Sequence, residues 1–128
     1  MNQDIDQSLL PIVLQEICGL IGIQATMAIV QEYGGLRLYV PQEISQDHPL
    51  MRLVGVCNAI ALADEFGGLT LEIPRAEAAI RRVRDTEIRT MSAALSHREL
   101  AIRYKTTERH IRRILAGYIH NNNQLELF

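Results

Sequence analysis

Apolar residues fall at Leu10, Val13, Leu14, Ile17, Cys18 and Ile21, the i, i+3, i+4, i+7 spacing of an amphipathic helix. Pro11 sits in its first turn, where a missing N–H leaves no helical bond unmade. A second, nearly all-apolar helix is predicted from about Ile23 to Tyr33. The Gly34-Gly35 pair stops it, because glycine takes the left-handed conformation at a helix C-terminus without steric penalty. Beyond it the period changes from 3.6 to 2: Leu36, Leu38 and Val40 alternate with Arg37 and Tyr39, a short strand closed by Pro41.

The chain then repeats itself. Adding 33 to each position carries Gly22 to Gly55, Ala28 to Ala61, Glu32 to Glu65, Gly34-Gly35 to Gly67-Gly68, Leu36 and Leu38 to Leu69 and Leu71, and Pro41 to Pro74. Residues 42–48 form the linker, and Pro49 opens the first helix of the second copy. Each unit, about 9–41 and 49–74, reads helix, helix, strand. One such unit cannot bury the inner face of a lone five-residue strand, whereas two can pair strands and pack helices together. The expected fold is therefore mainly α, with residues 1–74 forming a small dimerisation-type domain of helices and two strands.

After Pro74 a helix is predicted to about Leu95, with Ile80, Val83, Ile88, Met91 and Leu95 near one face and Arg81, Arg82, Arg84 and Arg89 mostly around the others. Ser96-His97-Arg98-Glu99 fits a capping box and starts a short helix whose inward residues are Leu100, Ala101 and Tyr104. A turn at Lys105-Thr106 leads into a last helix beginning at Thr107 and ending near Gly117. In it Ile111, Ile114, Leu115 and Tyr118 face inward and Thr107, Glu108, Arg109, Arg112 and Arg113 face outward. Two short helices across a tight turn, the second with an arginine-rich face, is the helix-turn-helix arrangement. Arg109 and Arg112 can donate to guanine, Glu108 can accept from cytosine, and Thr107 can meet a phosphate or a thymine methyl. Arg98, Lys105, Thr106 and Arg113 complete the candidate DNA-contacting set. The competing reading of residues 75–118 is a helical pair with a solvated charged face.

Charge favours the DNA reading. Residues 1–74 hold two basic and nine acidic groups, a net −7, while residues 75–128 hold eleven basic and six acidic, a net +5. One end alone is thus suited to a polyanion. Cys18 and Cys57 have no partners at CxxC spacing and are expected as two buried, reduced thiols. His48, His97, His110 and His120 are scattered, with no i+4 pairing for a metal, and Asp47-His48 ahead of Pro49 reads as turn and cap chemistry; neither enzyme nor metal nor cofactor is expected. The glycine pairs follow helices instead of preceding them, the wrong end of the dipole for a phosphate. Charges interrupt every apolar run before 18 residues, and the acidic start, Met1 to Asp6, is unlike a signal peptide, so a cytoplasmic protein off the membrane is expected.

The GGLxLxIP-type strand and the block SHRELAIRYKTTERHIRRIL resemble the Mor/C activators of phage middle and late transcription, over most of the chain from Leu10 to Tyr118. The resemblance implies a dimerisation domain, a C-terminal helix-turn-helix with Thr107 to Leu115 as recognition helix, and a phage or prophage activator that binds a dyad beside a promoter and recruits RNA polymerase. Members with a single helix-helix-strand unit take the second from a partner subunit, so the two copies here can pair within one chain, as a monomeric pseudo-dimer, or the chain can still be a homodimer. Two departures stand out. Lys105 occupies a turn position where the family often has glycine, at an expected cost of about 1 kcal/mol if left-handed. Glu72 replaces the strand tyrosine of the second copy while Tyr39 remains beside Arg37, making Arg37 and Tyr39 the candidate strand contact with the DNA backbone.

Residues 119–128 read as a flexible polar spacer ending in Gln124-Leu125-Glu126-Leu127-Phe128. This peptide is similar to the QLxLF motifs that dock in the groove of the bacterial sliding clamp, with Gln124, Leu125, Leu127 and Phe128 as anchors. A tail packed on its own domain is the other reading. The alternative function for the whole chain is an adaptor that joins proteins through the helical core and this tail, without specific DNA readout.

Overall fold

Seven elements run in the order helix, strand, helix, helix, strand, helix, helix, with a further helical segment after them, in a computed structural model that describes residues 10–116. They are α1 (Ile12–Tyr33), β1 (Arg37–Tyr39), α2 (Pro49–Val54), α3 (Val56–Phe66), β2 (Thr70–Glu72), α4 (Glu77–Met91), α5 (His97–Arg103) and α6, helical over residues 108–116. The chain divides into two compact modules, with the division inside α4 between Arg81 and Arg82. Pro74, where the charge balance changes sign, lies just ahead of that helix.

The two helices expected in the first unit are both present, joined without a gap and bent at Gly22, whose φ of 87° and ψ of 166° no other residue adopts comfortably. Gly55 bends the second unit between α2 and α3 with nearly the same angles, φ 93° and ψ 161°. Side chains bond the backbone at each bend: Thr26 Oγ1 donates to the C=O of Gly22 itself at 2.7 Å, and Asn58 Nδ2 donates to the C=O of Val54, just ahead of Gly55, at 2.9 Å. Pro11 stands one position earlier than expected, as the residue before the first helical turn. His48 accepts the Leu50 N–H at Nδ1, 3.1 Å, and Pro49 takes the first helical position, so the Asp47-His48 turn is cap chemistry.

β1 and β2 pair antiparallel with Arg37 opposite Glu72, Leu38 opposite Leu71 and Tyr39 opposite Thr70. Under the 33-residue offset Leu38 is the counterpart of Leu71, so this one pair sits on a local two-fold of the ladder and the other two pairs are twins of each other. Gly35 N–H donates to Ile73 C=O at 2.7 Å, and Gly68 N–H to Val40 C=O at 2.7 Å. Val40 N–H reaches Leu69 C=O and Ile73 N–H reaches Leu36 C=O, both at 2.9 Å. The second glycines are left-handed, φ 83° at Gly35 and 85° at Gly68, and each lies under the side chain that follows the other strand's proline: Arg75 over Gly35 and Gln42 over Gly68. Leu38, Val40 and Ile73 point into the core with Leu14, Ile17, Ile29, Leu50 and Leu62.

Cys57 corrects the expectation of two buried thiols: Cys18 is buried, but Cys57 is exposed. α3 meets the core through Ala59, Leu62, Ala63 and Phe66, and Cys57 stands about 200° round the helix from Ala59. Val56 and Ile60 are exposed as well, although their counterparts Ile23 and Met27 in the first unit are buried. By length and composition alone α1 could cross a membrane, yet half of its apolar window is buried inside the protein, as in a core helix.

Candidate nucleic-acid interface

The C-terminal module positions its outward residues through a chain of local bonds. α4 ends at Met91, four residues before the expected Leu95, because the chain tightens there: Ser92 Oγ donates to Arg89 C=O at 2.6 Å and Ala94 N–H to Met91 C=O at 3.0 Å. α5 then opens with the capping box in full. Glu99 N–H donates to Ser96 Oγ at 3.1 Å, and Ser96 N–H donates to Glu99 Oε1 at 2.9 Å. These bonds, the one from the Ser96 backbone foremost, hold the Glu99 carboxyl below its usual range.

α5 closes in a Schellman turn: Thr106 N–H donates to Ala101 C=O at 2.9 Å and Lys105 N–H to Ile102 C=O at 3.3 Å. Lys105 occupies the left-handed position at φ 54°, where glycine is usual. Thr107 caps α6 by accepting His110 N–H at 3.0 Å, and the Thr106 hydroxyl and His110 Nδ1 share a bond of 2.9 Å. Two consecutive threonines therefore fix the start of α6, a role for Thr106 and His110 that composition does not reveal.

Beneath the turn, Leu100, Ala101, Tyr104, Ile111 and Ile114 are buried, which fixes the face α6 turns outward. Arg109, Arg112 and Arg113, at i, i+3 and i+4, form one exposed stripe, with Thr107 and Glu108 exposed at its N-terminal end and Thr106 half-buried. Lys105 in the turn and Arg98 on α5 are also exposed in this module. Glu108 and Arg112 approach to 3.8 Å, an open i, i+4 pair that contributes a few tenths of a kcal/mol and leaves both groups available. Arg112 also lines a hollow with Leu95, His97 and Leu115.

The other candidates are placed separately. Arg37 and Tyr39 share the solvent face of β1 in the N-terminal module, where Glu72 stands directly opposite Arg37; a phosphate brought to Arg37 would also meet that carboxylate. The glycine pairs have no amides to offer an anion, since the N–H groups of Gly34, Gly35 and Leu36, and of Gly67, Gly68 and Leu69, all donate to backbone carbonyls. Gln124, Leu125, Leu127 and Phe128 lie outside the described residues, as do Gly117 and Tyr118.

Two features were not legible beforehand. Ile102 is 69% exposed on α5 beside the turn. Glu87 and Tyr104 form a part-buried acid pair whose Glu87 Oε2 and Tyr104 hydroxyl affect each other's charge without being aligned for a hydrogen bond. Burial, then the Glu87 charge, pushes the Tyr104 hydroxyl up to about 12, and burial raises the Glu87 carboxyl against the opposing charge of Arg103.

Residues 47–124 match the family model described as the Mor transcription activator family. No curated protein and no solved structure matches the chain.

Proposed function

The chain belongs to the Mor transcription activator family, and on that footing we propose that residues 75–118 are a helix-turn-helix DNA-binding domain with residues 107–115 as its recognition helix. The arginine stripe on α6, held outward by the buried Ile111 and Ile114, is the observation that carries this reading. Arg109 and Arg112 each present a planar fork that can grip O6 and N7 of a guanine, and Glu108 beside them can accept from a cytosine amino group. Lys105, Arg98 and Arg113 neutralise phosphates on either side. The Thr107 oxygen is occupied by the His110 N–H, which leaves its proton for a phosphate oxygen, while the Thr106 hydroxyl is shared with His110 Nδ1.

On this reading the protein is a phage or prophage activator, working in the cytoplasm on a dyad beside a promoter and bringing RNA polymerase to it. Arg37 and Tyr39 are a secondary contact with the DNA backbone, and the Glu72 carboxylate opposite Arg37 makes that contact weak. Residues 124–128 add a docking peptide for the sliding clamp; a synthetic peptide of residues 119–128 that fails to bind a purified bacterial clamp at about 100 μM, a binding free energy of about −5.5 kcal/mol, would remove it.

The test is a gel-shift comparison of the wild type with Arg109→Ala/Arg112→Ala, on a selected genomic fragment and on random-sequence DNA. Each bidentate arginine lost should reduce discrimination by about 1–3 kcal/mol. Unchanged discrimination would favour a protein adaptor that does not read sequence.

A further inference from the structure

The first helix-helix-strand unit lies wholly outside the family match, which begins at residue 47, yet it repeats what lies inside that match. The two copies do not sit side by side as separate beads. They close on one another about a two-fold through Leu38 and Leu71, and four backbone bonds flanking the ladder fall in twin pairs of 2.7 and 2.9 Å. The bends at Gly22 and Gly55 agree to within a few degrees, and the side chains of Arg75 and Gln42 cover each other's unit at equivalent glycines. Such exchange symmetry is what two identical subunits build when they share one interface. Here a single chain builds it.

A strand of three residues cannot stand alone, so β2 of the matched region needs a partner wherever it occurs. In this chain the partner is β1, and the inner edge of β2 is fully used by it. The strands are also closed to extension along their length, since Pro41 and Pro74 end them with residues that lack an N–H.

We infer that residues 10–41 are an internal stand-in for a second chain: the first unit completes the sheet and helical core that the matched region would otherwise share with another copy of itself. With the DNA-reading role proposed above as its premise, this means one reading head for each closed sheet, where two chains joined through their strands would carry two. A dyad site is then filled by two whole chains that meet, if they touch at all, through some surface other than β1 and β2.

Cysteine cross-linking tests the strand pairing without DNA, so its failure is separate from failure of the DNA reading. Both variants carry Cys57→Ser, because Cys57 is the exposed native thiol and Cys18 is buried. In the first, Tyr39→Cys/Thr70→Cys places thiols directly opposite one another on the solvent face, where facing Cβ atoms lie about 4.5–5.5 Å apart, close to bridging distance. In the second, Thr70→Cys/Glu72→Cys places thiols that would face each other only if β2 of one chain paired with β2 of another about the same two-fold.

Each variant is oxidised across a range of chain concentrations and read on a non-reducing denaturing gel. The inference expects the first variant to form an intrachain bridge, in about 100-fold excess over covalent dimer at ~10 μM chain, because strands in one chain face each other at an effective concentration near millimolar. The second variant should give no covalent dimer. Covalent dimers from the second variant, or predominantly from the first, would show the strands pairing between chains and overturn the inference. Free thiols throughout the first variant would show the strands unpaired and overturn it equally.

Discussion

Replacing Gly22 with alanine isolates the energetics of the bend on which the repeat is built. An added Cβ at Gly22 has nothing within 4 Å, so no contact is lost or strained in making the change. What remains is the backbone: φ 87° with ψ 166° lies in a region essentially reserved for glycine, and holding an L-residue there costs about 1–3 kcal/mol. The alternative for the variant is to straighten α1. Alanine then gains about 1 kcal/mol of helix propensity over glycine, so the two outcomes differ in sign. Urea unfolding of Gly22→Ala at neutral pH should show a loss of about 1–3 kcal/mol, or roughly 3–10 °C in Tm for a chain of this size. Gly55→Ala, whose Cβ also meets open space, should lose a similar amount because its bend is the same. D-alanine at position 22, for which positive φ is the relaxed conformation, should recover the loss. A gain in stability for either L-alanine variant, or no penalty at Gly55 beside a full one at Gly22, would refute the claim that both units depend on a glycine-only bend.

Lys105→Gly should raise stability by about 1 kcal/mol by relieving the left-handed lysine, while weakening binding to DNA of any sequence, so urea and gel-shift titrations should move in opposite directions. Glu99→Ala should destabilise the chain near neutral pH; since the folded Glu99 carboxyl is held low, chiefly by the Ser96 backbone N–H, the contribution is present above the ordinary carboxylate pKa and is lost on acidification through the folded value, and unfolding midpoints of variant and wild type should draw together from pH 7 to pH 3. Tyr104 has the opposite sign. Its folded pKa of about 12 exceeds the ordinary 10, so stability present below pH 10 is lost as pH rises toward 12, and Tyr104→Phe should flatten that alkaline loss in a pH series of urea midpoints. Of the two thiols, Cys57 alone should react with a thiol reagent in the native protein, with Cys18 following only on unfolding.

The features readable from the amino-acid order are those whose chemistry is local. Ser96 and Glu99 are three positions apart because a capping box needs that spacing, and the box is present. The glycine pairs and prolines bracket β1 and β2 for the same reason. The spacing of Ile111 and Ile114 between charged residues was enough to fix which face of α6 is outward, as that of Leu100 and Tyr104 was for α5. The missed features depend on what another segment does. The first two turns of α3, Val56 to Ala63, are apolar apart from Asn58, so their composition cannot say that the core approaches Ala59 and leaves Cys57 in water. α4 carries apolar residues on to Leu95, but hydrogen bonds from Ser92 and Ala94 end it at Met91. The pairing of Leu38 with Leu71, and of Arg37 with Glu72, is a register between segments 33 residues apart, which periodicity within either strand does not contain. That register is also what gives Arg37 an acidic neighbour and weakens it as a DNA contact.

The central claim, that α6 reads DNA sequence, is tested most directly by incubating the purified protein with sheared DNA from its source genome at near-physiological salt and sequencing what it retains. The account predicts enrichment of a short motif beside promoters, repeated as a dyad, that Arg109→Ala/Arg112→Ala fails to enrich. Uniform retention that fades as salt rises would mean phosphate attraction without readout, and would contradict it.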